Sequence, residues 1–372
     1  MKKIGITGHS GFVGSHLYNT LGLSPEKFET IYFERSFFDD EEKLNEFVAH
    51  CDVIVHLAAM NRHPEPEVIY NNNIDLVKKI ITSLEKTKSK AHVLFSSSSQ
   101  EEKDNLYGKS KKEGRKLLAD WAEKSGGKFT GMIIPNVFGP FGKPNYNSFI
   151  ATFCHKLTHG ETPVIDNDGE VKLIYVGELV KEIIKHIEEE KNLNFYEVPH
   201  TSVHKVSDVL TKLKNYKQLY FDNGEIPVLE TTFDLNLFNT FRCYFDIKNH
   251  YPVQFTQHTD PRGAFVEVIR LGIGGQCSFS TTVPGITRGN HFHTRKIERF
   301  AVIKGKALIQ LRKIDTNEVL DFYLDGTQPA YVDMPIWYTH NIKNIGEEEL
   351  YTIFWINEPF NPEDADTYFL EV

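Results

Sequence analysis

Four residues late in the chain have the types and spacing to hold one cation. His291 and His293 stand two apart, Glu298 follows five further on, and His340 lies in the separate run PIWYTHNIKN. Imidazole nitrogen and carboxylate oxygen together suit a borderline divalent metal such as Zn²⁺, and a catalytic site keeps one position open. A second group, Tyr107 and Lys111, stands four apart in YGKSK after the serine run Ser96–Ser99. On a helix such a pair shares a face, and an ammonium beside a phenol lowers the phenol pKa from its reference of about 10. That is proton-transfer chemistry.

A third group acts through backbone. Gly8, Gly11 and Gly14 follow the β-like run Lys3–Thr7 directly and open an amphipathic stretch to Leu21. A strand feeding a glycine turn and a helix start offers N–H groups and a positive dipole end to a pyrophosphate. Gly8, His9, Gly11, Phe12, Val13 and Gly14 are the candidate contacts. Ala58 and Ala59 end the next apolar run, DVIVHLAA, and are small enough for a dinucleotide to approach. Between them, the strand Thr30–Phe33 ends in Glu34-Arg35, twenty residues after the last glycine. An acidic residue there suits a ribose 2′-hydroxyl and arginine a 2′-phosphate; the reading adopted is NADPH through Arg35.

The elements that must position these groups follow from periodicity. Strand and helix patterns alternate through Asp52–Ala59, Asn72–Lys86, Val93–Phe95 and Thr130–Ile134, which predicts a parallel, doubly wound sheet. The serines fall at the tip of one strand, where such sheets bind ligands. Asn136, in the loop PNVFGP after the last of these strands, is a candidate donor to a sugar or phosphate. Composition shifts near Asn249-His-Tyr-Pro252, and short β-rich runs with Gly, Asn or Asp turns follow, as in a sandwich or small barrel. The expected domains are 1–245 and 246–372.

Composition excludes several classes. With 372 residues, 40% hydrophobic and 25% charged, the chain is about two ordinary globular domains long. A formal charge of −9 gives no general attraction to nucleic acid or anionic lipid. Cys51, Cys154, Cys243 and Cys277 show no C-x-x-C spacing, which argues against a disulfide framework and thiolate metal sites. No apolar run approaches the roughly 20 residues of a membrane span, so a cytoplasmic protein is expected.

The glycine loop, DVIVHLAA, the serine run and YGKSK resemble the extended short-chain dehydrogenase/reductases over Met1 to about Val198. That resemblance implies Tyr107 as general acid, Ser98 on the carbonyl oxygen, and Lys111 on the nicotinamide ribose. The usual VYG after the serines is missing and the segment to Tyr107 is short, implying a more open site that a partner domain or subunit covers. Gly285, His291, His293, Glu298 and Gly305, with Pro335, His340 and Asn344, resemble the two motifs of the cupin β-barrel; Trp337 stands where glycine is usual. Asp260–Glu267 and Arg288-Gly-Asn-His291 resemble cupin-fold dTDP-4-keto-sugar 3,5-epimerases. This makes Arg262 and Arg288 either substrate contacts or a turn-stabilising charge pair, and His291 either a ligand or the base.

The whole order resembles the bifunctional capsule-biosynthesis reductases of the CapF/WbjC type. The resemblance implies NADPH, one divalent metal with Zn²⁺ favoured, and a UDP-linked 4-keto-6-deoxy-amino-sugar, epimerised at C3 by the cupin and reduced at C4 by the first domain. A homodimer is expected. The alternative is a simple nucleotide-sugar reductase or epimerase whose cupin is a non-catalytic dimerisation module.

Overall fold

The computed structural model of the chain describes residues 1–261 and 263–372, so Arg262 lies outside the described residues. By contact the chain forms two compact units. One comprises Met1–Thr152 with Ile165–Ser207, the other Phe153–Val164 with Asp208–Val372. Among the described residues no helix is long and apolar enough to cross a membrane.

The first unit runs β1 (Lys2–Thr7), α1 (Phe12–Leu21), β2 (Phe28–Ile31), α2 (Glu41–His50), β3 (Val53–His56), α3 (Pro66–Thr87), β4 (His92–Ser98), α4 (Leu106–Ser125), β5 (Phe129–Ile134) and β6 (Asn136–Phe138). After α5 (Phe149–Thr158), which straddles the boundary, come β7 (Glu170–Tyr175), α6 (Val176–Glu189), β8 (Leu193–Glu197) and β9 (Ser202–Lys205). Six parallel strands stand in the order β2-β1-β3-β4-β5-β8. Strands β3 and β5 are buried along their whole length, which is why they read as unbroken apolar runs. Helices cover both faces. Leu44, Phe47, Val77, Ile80, Leu118 and Trp121 build one core, and Leu17, Leu21, Leu179, Val180 and Ile183 the other. The sheet order reverses between β1 and β3, the place where such folds bind a dinucleotide.

The second unit carries α7 (Val206–Tyr216), α8 (Thr232–Phe241) and α9 (Ile247–His250), then β10 (Val253–Gln254), β11 (Gln257–Asp260), β12 (Gly263–Val266), β13 (Gln276–Thr282), β14 (Thr287–Phe292), β15 (Glu298–Lys304), β16 (Lys306–Lys313), β17 (Val319–Asp325), β18 (Ala330–Met334), β19 (Tyr338–Asn344), β20 (Leu350–Ile356) and β21 (Tyr368–Phe369). Two antiparallel five-stranded sheets, β10-β18-β15-β20-β13 and β17-β16-β19-β14-β21, make the body of a cupin-type barrel. Alternation on β16 buries Ala307, Ile309 and Leu311. This is the fold class that the sequence implies: a Rossmann-type doubly wound sheet followed by a cupin β-barrel.

Residues 208–245, which the sequence reading groups with the first domain, pack in the second unit. A buried charge network joins them to the barrel strands. Arg299 on β15 grips Asp333 on β18 through two nitrogens at 2.7 and 3.0 Å, and Tyr220 donates to the same carboxylate at 2.7 Å. Arg242, just after α8, reaches the Met334 carbonyl at 2.9 Å and the Tyr220 hydroxyl at 3.2 Å. With the helical segment on one face and the barrel interior on the other, β18 is buried throughout.

Candidate active site and metal centre

In the first unit, Gly8 sits at φ 78, in the left-handed region that glycine adopts without a Cβ clash. Gly14 is required for space, since a Cβ there would lie 2.1 Å from the Gly8 carbonyl oxygen. Helix α1 starts at Gly11 with no side-chain cap and no acidic residue in its first turn. Its N–H groups and dipole are left for an anion. The side chains of His9, Phe12 and Val13 turn to other tasks: His9 toward the Tyr18 ring, Phe12 edge-on to His16, and Val13 into the core. Ala58 packs beside Gly8, and its N–H meets the Thr7 hydroxyl at 3.3 Å. β2 ends at Ile31, earlier than the sequence predicts, so the exposed Arg35 opens a short 3-10 turn (Arg35–Asp39) four residues beyond the strand, whereas the neighbouring Glu34 carboxylate is held by the Tyr32 hydroxyl and, at 3.1 Å, by Ser36.

The strand tip of β4 and the first turns of α4 bring Ser98, Tyr107 and Lys111 together. Asn105 caps α4 by accepting from Gly108 N at 2.7 Å, which fixes where Tyr107 emerges. The Ser98 side chain lies near the Tyr107 hydroxyl and favours its ionised form. Lys111 Nζ donates to the Ser96 carbonyl at 2.7 Å and lies 6.0 Å from the centre of the Tyr107 ring. Ser97 is committed elsewhere, to the buried Glu101, which Arg115 grips at 2.7 and 2.8 Å. The spacing alone predicts a lowered phenol pKa, but burial outweighs the effect of Ser98 and pushes Tyr107 up to about 12. Burial also brings Lys111 down to about 7. Near neutral pH the phenol therefore keeps its proton, the state a general acid needs.

In the second unit, His291 on β14 pairs across the ladder with His340 on β19, while Glu298 comes from β15 in the other sheet. Glu298 Oε2 lies 3.0 Å from His340 Nε2, 3.3 Å from His293 Nε2 and 3.9 Å from His291 Nε2. All four donor atoms fall within 4.8 Å of one another. Tetrahedral ligands about 2.0–2.2 Å from zinc stand roughly 3.3–3.6 Å apart, so the set matches in size. The second contacts match as well. Nδ1 of His293 meets the Asp366 carbonyl at 2.5 Å and Nδ1 of His340 the Tyr338 carbonyl at 3.2 Å. With Nδ1 donating, both Nε2 atoms present lone pairs toward a carboxylate, which a proton or a cation must bridge. Burial alone would raise the Glu298 carboxyl, but the three imidazoles hold it well below the usual carboxylate range. The His291 side chain is 22% exposed, against 4% for His293 and 0% for His340, so it marks the open side.

Trp337, at the position where glycine is usual, adopts φ 62, so the tight turn is kept by a residue that rarely takes it. Stacking on Phe292 and a hydrogen bond from its N–H to the His293 carbonyl at 2.8 Å hold it there.

Two candidates already have partners within the chain and yet are exposed, which leaves room for a substrate contact. Asn136 donates across the strands to the Lys172 carbonyl at 3.3 Å, and Arg288 bonds Thr281 and Thr282 at 3.0 Å each. Residues that sequence reasoning missed include Glu101 and Arg115, Tyr146 beside Tyr107, and Asp366 behind His293.

Comparison with known proteins agrees with these two halves. Residues 4–198 match the NAD dependent epimerase/dehydratase family and residues 258–368 the polysaccharide biosynthesis C-terminal domain. The chain belongs to the NAD dependent epimerase/dehydratase family. It is 31% identical over 375 residues, 98% of each chain, to a UDP-2-acetamido-2,6-beta-L-arabino-hexul-4-ose reductase of Pseudomonas aeruginosa. It is similar, at 35% identity with both chains covered in full and a TM-score of 0.63, to the capsular polysaccharide assembling protein CapF of Staphylococcus aureus. A shorter likeness, 26% over 120 residues, covers 30% of this chain and 80% of the spore coat polysaccharide biosynthesis protein SpsL of Bacillus subtilis.

Proposed function

We propose that this chain reduces the C4 ketone of a UDP-2-acetamido-2,6-dideoxy-hexos-4-ulose with NADPH in its first unit. At the His291–His293–Glu298–His340 centre it epimerises the same sugar at C3, giving UDP-2-acetamido-2,6-dideoxy-L-talose for capsule or O-antigen polysaccharide. The observation that supports this reading is a Ser98–Tyr107–Lys111 grouping and a four-donor cluster able to hold a metal, in one chain related over 98% of its length to a UDP-4-keto-sugar reductase.

Gly8–Gly14 and Ala58–Ala59 would hold NADPH, which would supply the hydride for C4. Tyr107 gives its proton to O4 as the hydride arrives, Ser98 donates to the same oxygen, and Lys111 holds the ribose. The exposed Arg35, beside a Glu34 already engaged, supports NADPH over NADH. In the second unit the C4 ketone acidifies the C3 proton. His291, His293, Glu298 and His340 would hold a divalent cation, Zn²⁺ by its donor set, which would supply Lewis-acid stabilisation of the enolate charge. Reduction then removes the ketone and locks the stereochemistry. Asn136, Arg262 and Arg288 are proposed substrate contacts. The reading includes a cytoplasmic homodimer, supported by exposed Phe279 and Phe369 on the outermost strands β13 and β21.

Solvent deuterium incorporation at C3, measured without nicotinamide, tests the assignment. His340→Ala or metal removal should abolish it and Tyr107→Phe should spare it. Full exchange in a folded, metal-free protein means that the metal is structural, and no exchange in the wild type means that the cupin is a passive module.

A further inference from the structure

The loop after His293 closes on a carboxylate from the far end of the chain. Asp366 Oδ1 accepts from Thr294 N at 3.0 Å and from the Thr294 hydroxyl at 2.6 Å. Asp366 Oδ2 accepts from Arg295 N and Lys296 N, both at 3.0 Å. Three successive N–H groups thus converge on one anion, an arrangement in which charge-assisted hydrogen bonds are strong. Asp366 is only 4% exposed and takes φ 41, in the left-handed region, so its backbone is held by these contacts and not by its own preference. Its carbonyl oxygen is the acceptor for His293 Nδ1. Neighbouring contacts reinforce the attachment: Lys296 Nζ reaches the Ala365 carbonyl at 2.5 Å, and Arg295 reaches Asp364 at 2.9 Å.

Two residues further on, β21 pairs with β14, setting Phe369 opposite His291 and Tyr368 opposite Phe292; Leu370 N also donates to the Asn290 carbonyl at 2.9 Å. One short segment, residues 364–370, therefore touches the backbone or ring of two of the four donors. The carboxylate matters most for Lys296 N, which is buried and would otherwise lack this acceptor, while the N–H groups of Thr294 and Arg295 are half-buried.

We propose that Asp366 is a positioning residue for the metal centre: its carboxylate clasps Thr294–Lys296, so that its own carbonyl fixes the His293 tautomer and turns Nε2 toward the ion. This rests on the metal reading above, and it makes metal affinity depend on the C-terminal segment. Outer contacts of this kind change metal affinity by about 10–100-fold when removed.

The test uses the full chain and zinc itself, with affinity read by competition against a chromophoric chelator. Asp366→Ala should weaken zinc binding by about 10–100-fold. Asp366→Asn, which keeps one acceptor oxygen and tolerates the left-handed backbone, should fall between it and the wild type. Imidazole ¹⁵N spectra of the metal-free proteins give a second readout: the Nδ1–H signal of His293 is expected in the wild type and lost or mixed in Asp366→Ala. Zinc affinity within twofold of wild type in folded Asp366→Ala, or an unchanged tautomer, overturns the proposal. If Asp366→Ala fails to fold, wild-type affinity in Asp366→Asn overturns it equally. A wild-type chain that binds no zinc overturns the metal reading instead, while the tautomer spectra still judge the clasp.

Discussion

In the first unit the groups proposed to face ligands come from two short stretches, Gly8–Gly14 and Ser98–Lys111, each lying where a strand passes into a helix, and in the first of them backbone predominates. In the second unit the donors come from β14, β15, β19 and the loop after β14, so two sheets must be held in register before the four atoms meet. Charge is handled differently too. Lys111 is buried against a carbonyl and driven toward its neutral form, whereas Glu298 is kept ionised by the imidazoles around it. A site made of backbone tolerates change except where an added Cβ cannot fit. A site made of side chains depends on remote residues that hold those side chains.

The largest effect should follow from breaking that remote support. Asp333→Ala leaves Arg299 and Arg242 buried without their carboxylate, which costs about 3–5 kcal/mol. Because Arg299 adjoins Glu298 on β15, zinc should be released at a lower temperature while NADPH binding is retained. Thermal unfolding with and without zinc, alongside NADPH fluorescence titration, measures both; a loss below about 1 kcal/mol would contradict the dependence on remote support. Gly14→Ala is the matching test of the backbone site. Its Cβ would meet two backbone neighbours, the Gly8 oxygen at 2.1 Å and the His9 Cα at 2.8 Å, so the loop must shift. A displacement of about 1 Å costs on the order of 10²-fold in rate. C4 reduction should fall by that factor and zinc affinity should stay constant.

The same contrast explains what the sequence made legible. The glycine loop, Tyr107 and Lys111 could be read because local periodicity places them: four residues on a helix is a fixed geometry. His291, His293, Glu298 and His340 were legible from motif spacing, although the side-chain contacts that orient them were not. Asp366 is remote in sequence from His293, and nothing local marks it. Glu101, Arg115 and Tyr146 were missed for the same reason. The helical residues 208–245 looked like a lobe of the reductase because the network joining Arg242, Tyr220 and Asp333 spans about a hundred residues and leaves no periodic trace. Trp337 did leave a signal, a bulky residue in a glycine position, and the structure keeps the glycine-like φ. The lowered pKa expected for Tyr107 failed because spacing reports the neighbour and says nothing of burial.

Smaller effects sharpen the electrostatic half of the comparison. His56 is buried with its Nδ1 2.7 Å from the Thr7 hydroxyl, and burial takes its pKa down to about 3; burial takes His92 down to about 4. Unfolded, each titrates at about 6.5, so below that pH the unfolded chain binds more protons and the first unit loses stability as pH falls toward 3. At pH 5 His56 alone accounts for a loss on the order of 2 kcal/mol. His56→Gln should flatten the slope of unfolding free energy between pH 6.5 and 4; an unchanged slope would mean that the group is not neutral in the folded state.

The smallest expected effect concerns cofactor choice. Arg35 is exposed in the turn that follows β2, while the Glu34 carboxylate beside it is occupied by Tyr32 and Ser36 and so is less free to receive a ribose hydroxyl. If the 2′-phosphate is read by this one exposed guanidinium, solvent screens the contact, and its loss should cost about 1.4 kcal/mol, a factor of roughly ten. Arg35→Ser should weaken NADPH binding by about tenfold and leave NADH binding within twofold, as measured by direct titration. Raising the salt concentration should shrink the wild-type preference in the same direction, since an exposed charge pair is screened over about 10 Å at 0.1 M. Equal losses for both cofactors would show that Arg35 supports the loop instead of reading the phosphate, and the backbone site would then have no side-chain selector at this strand end.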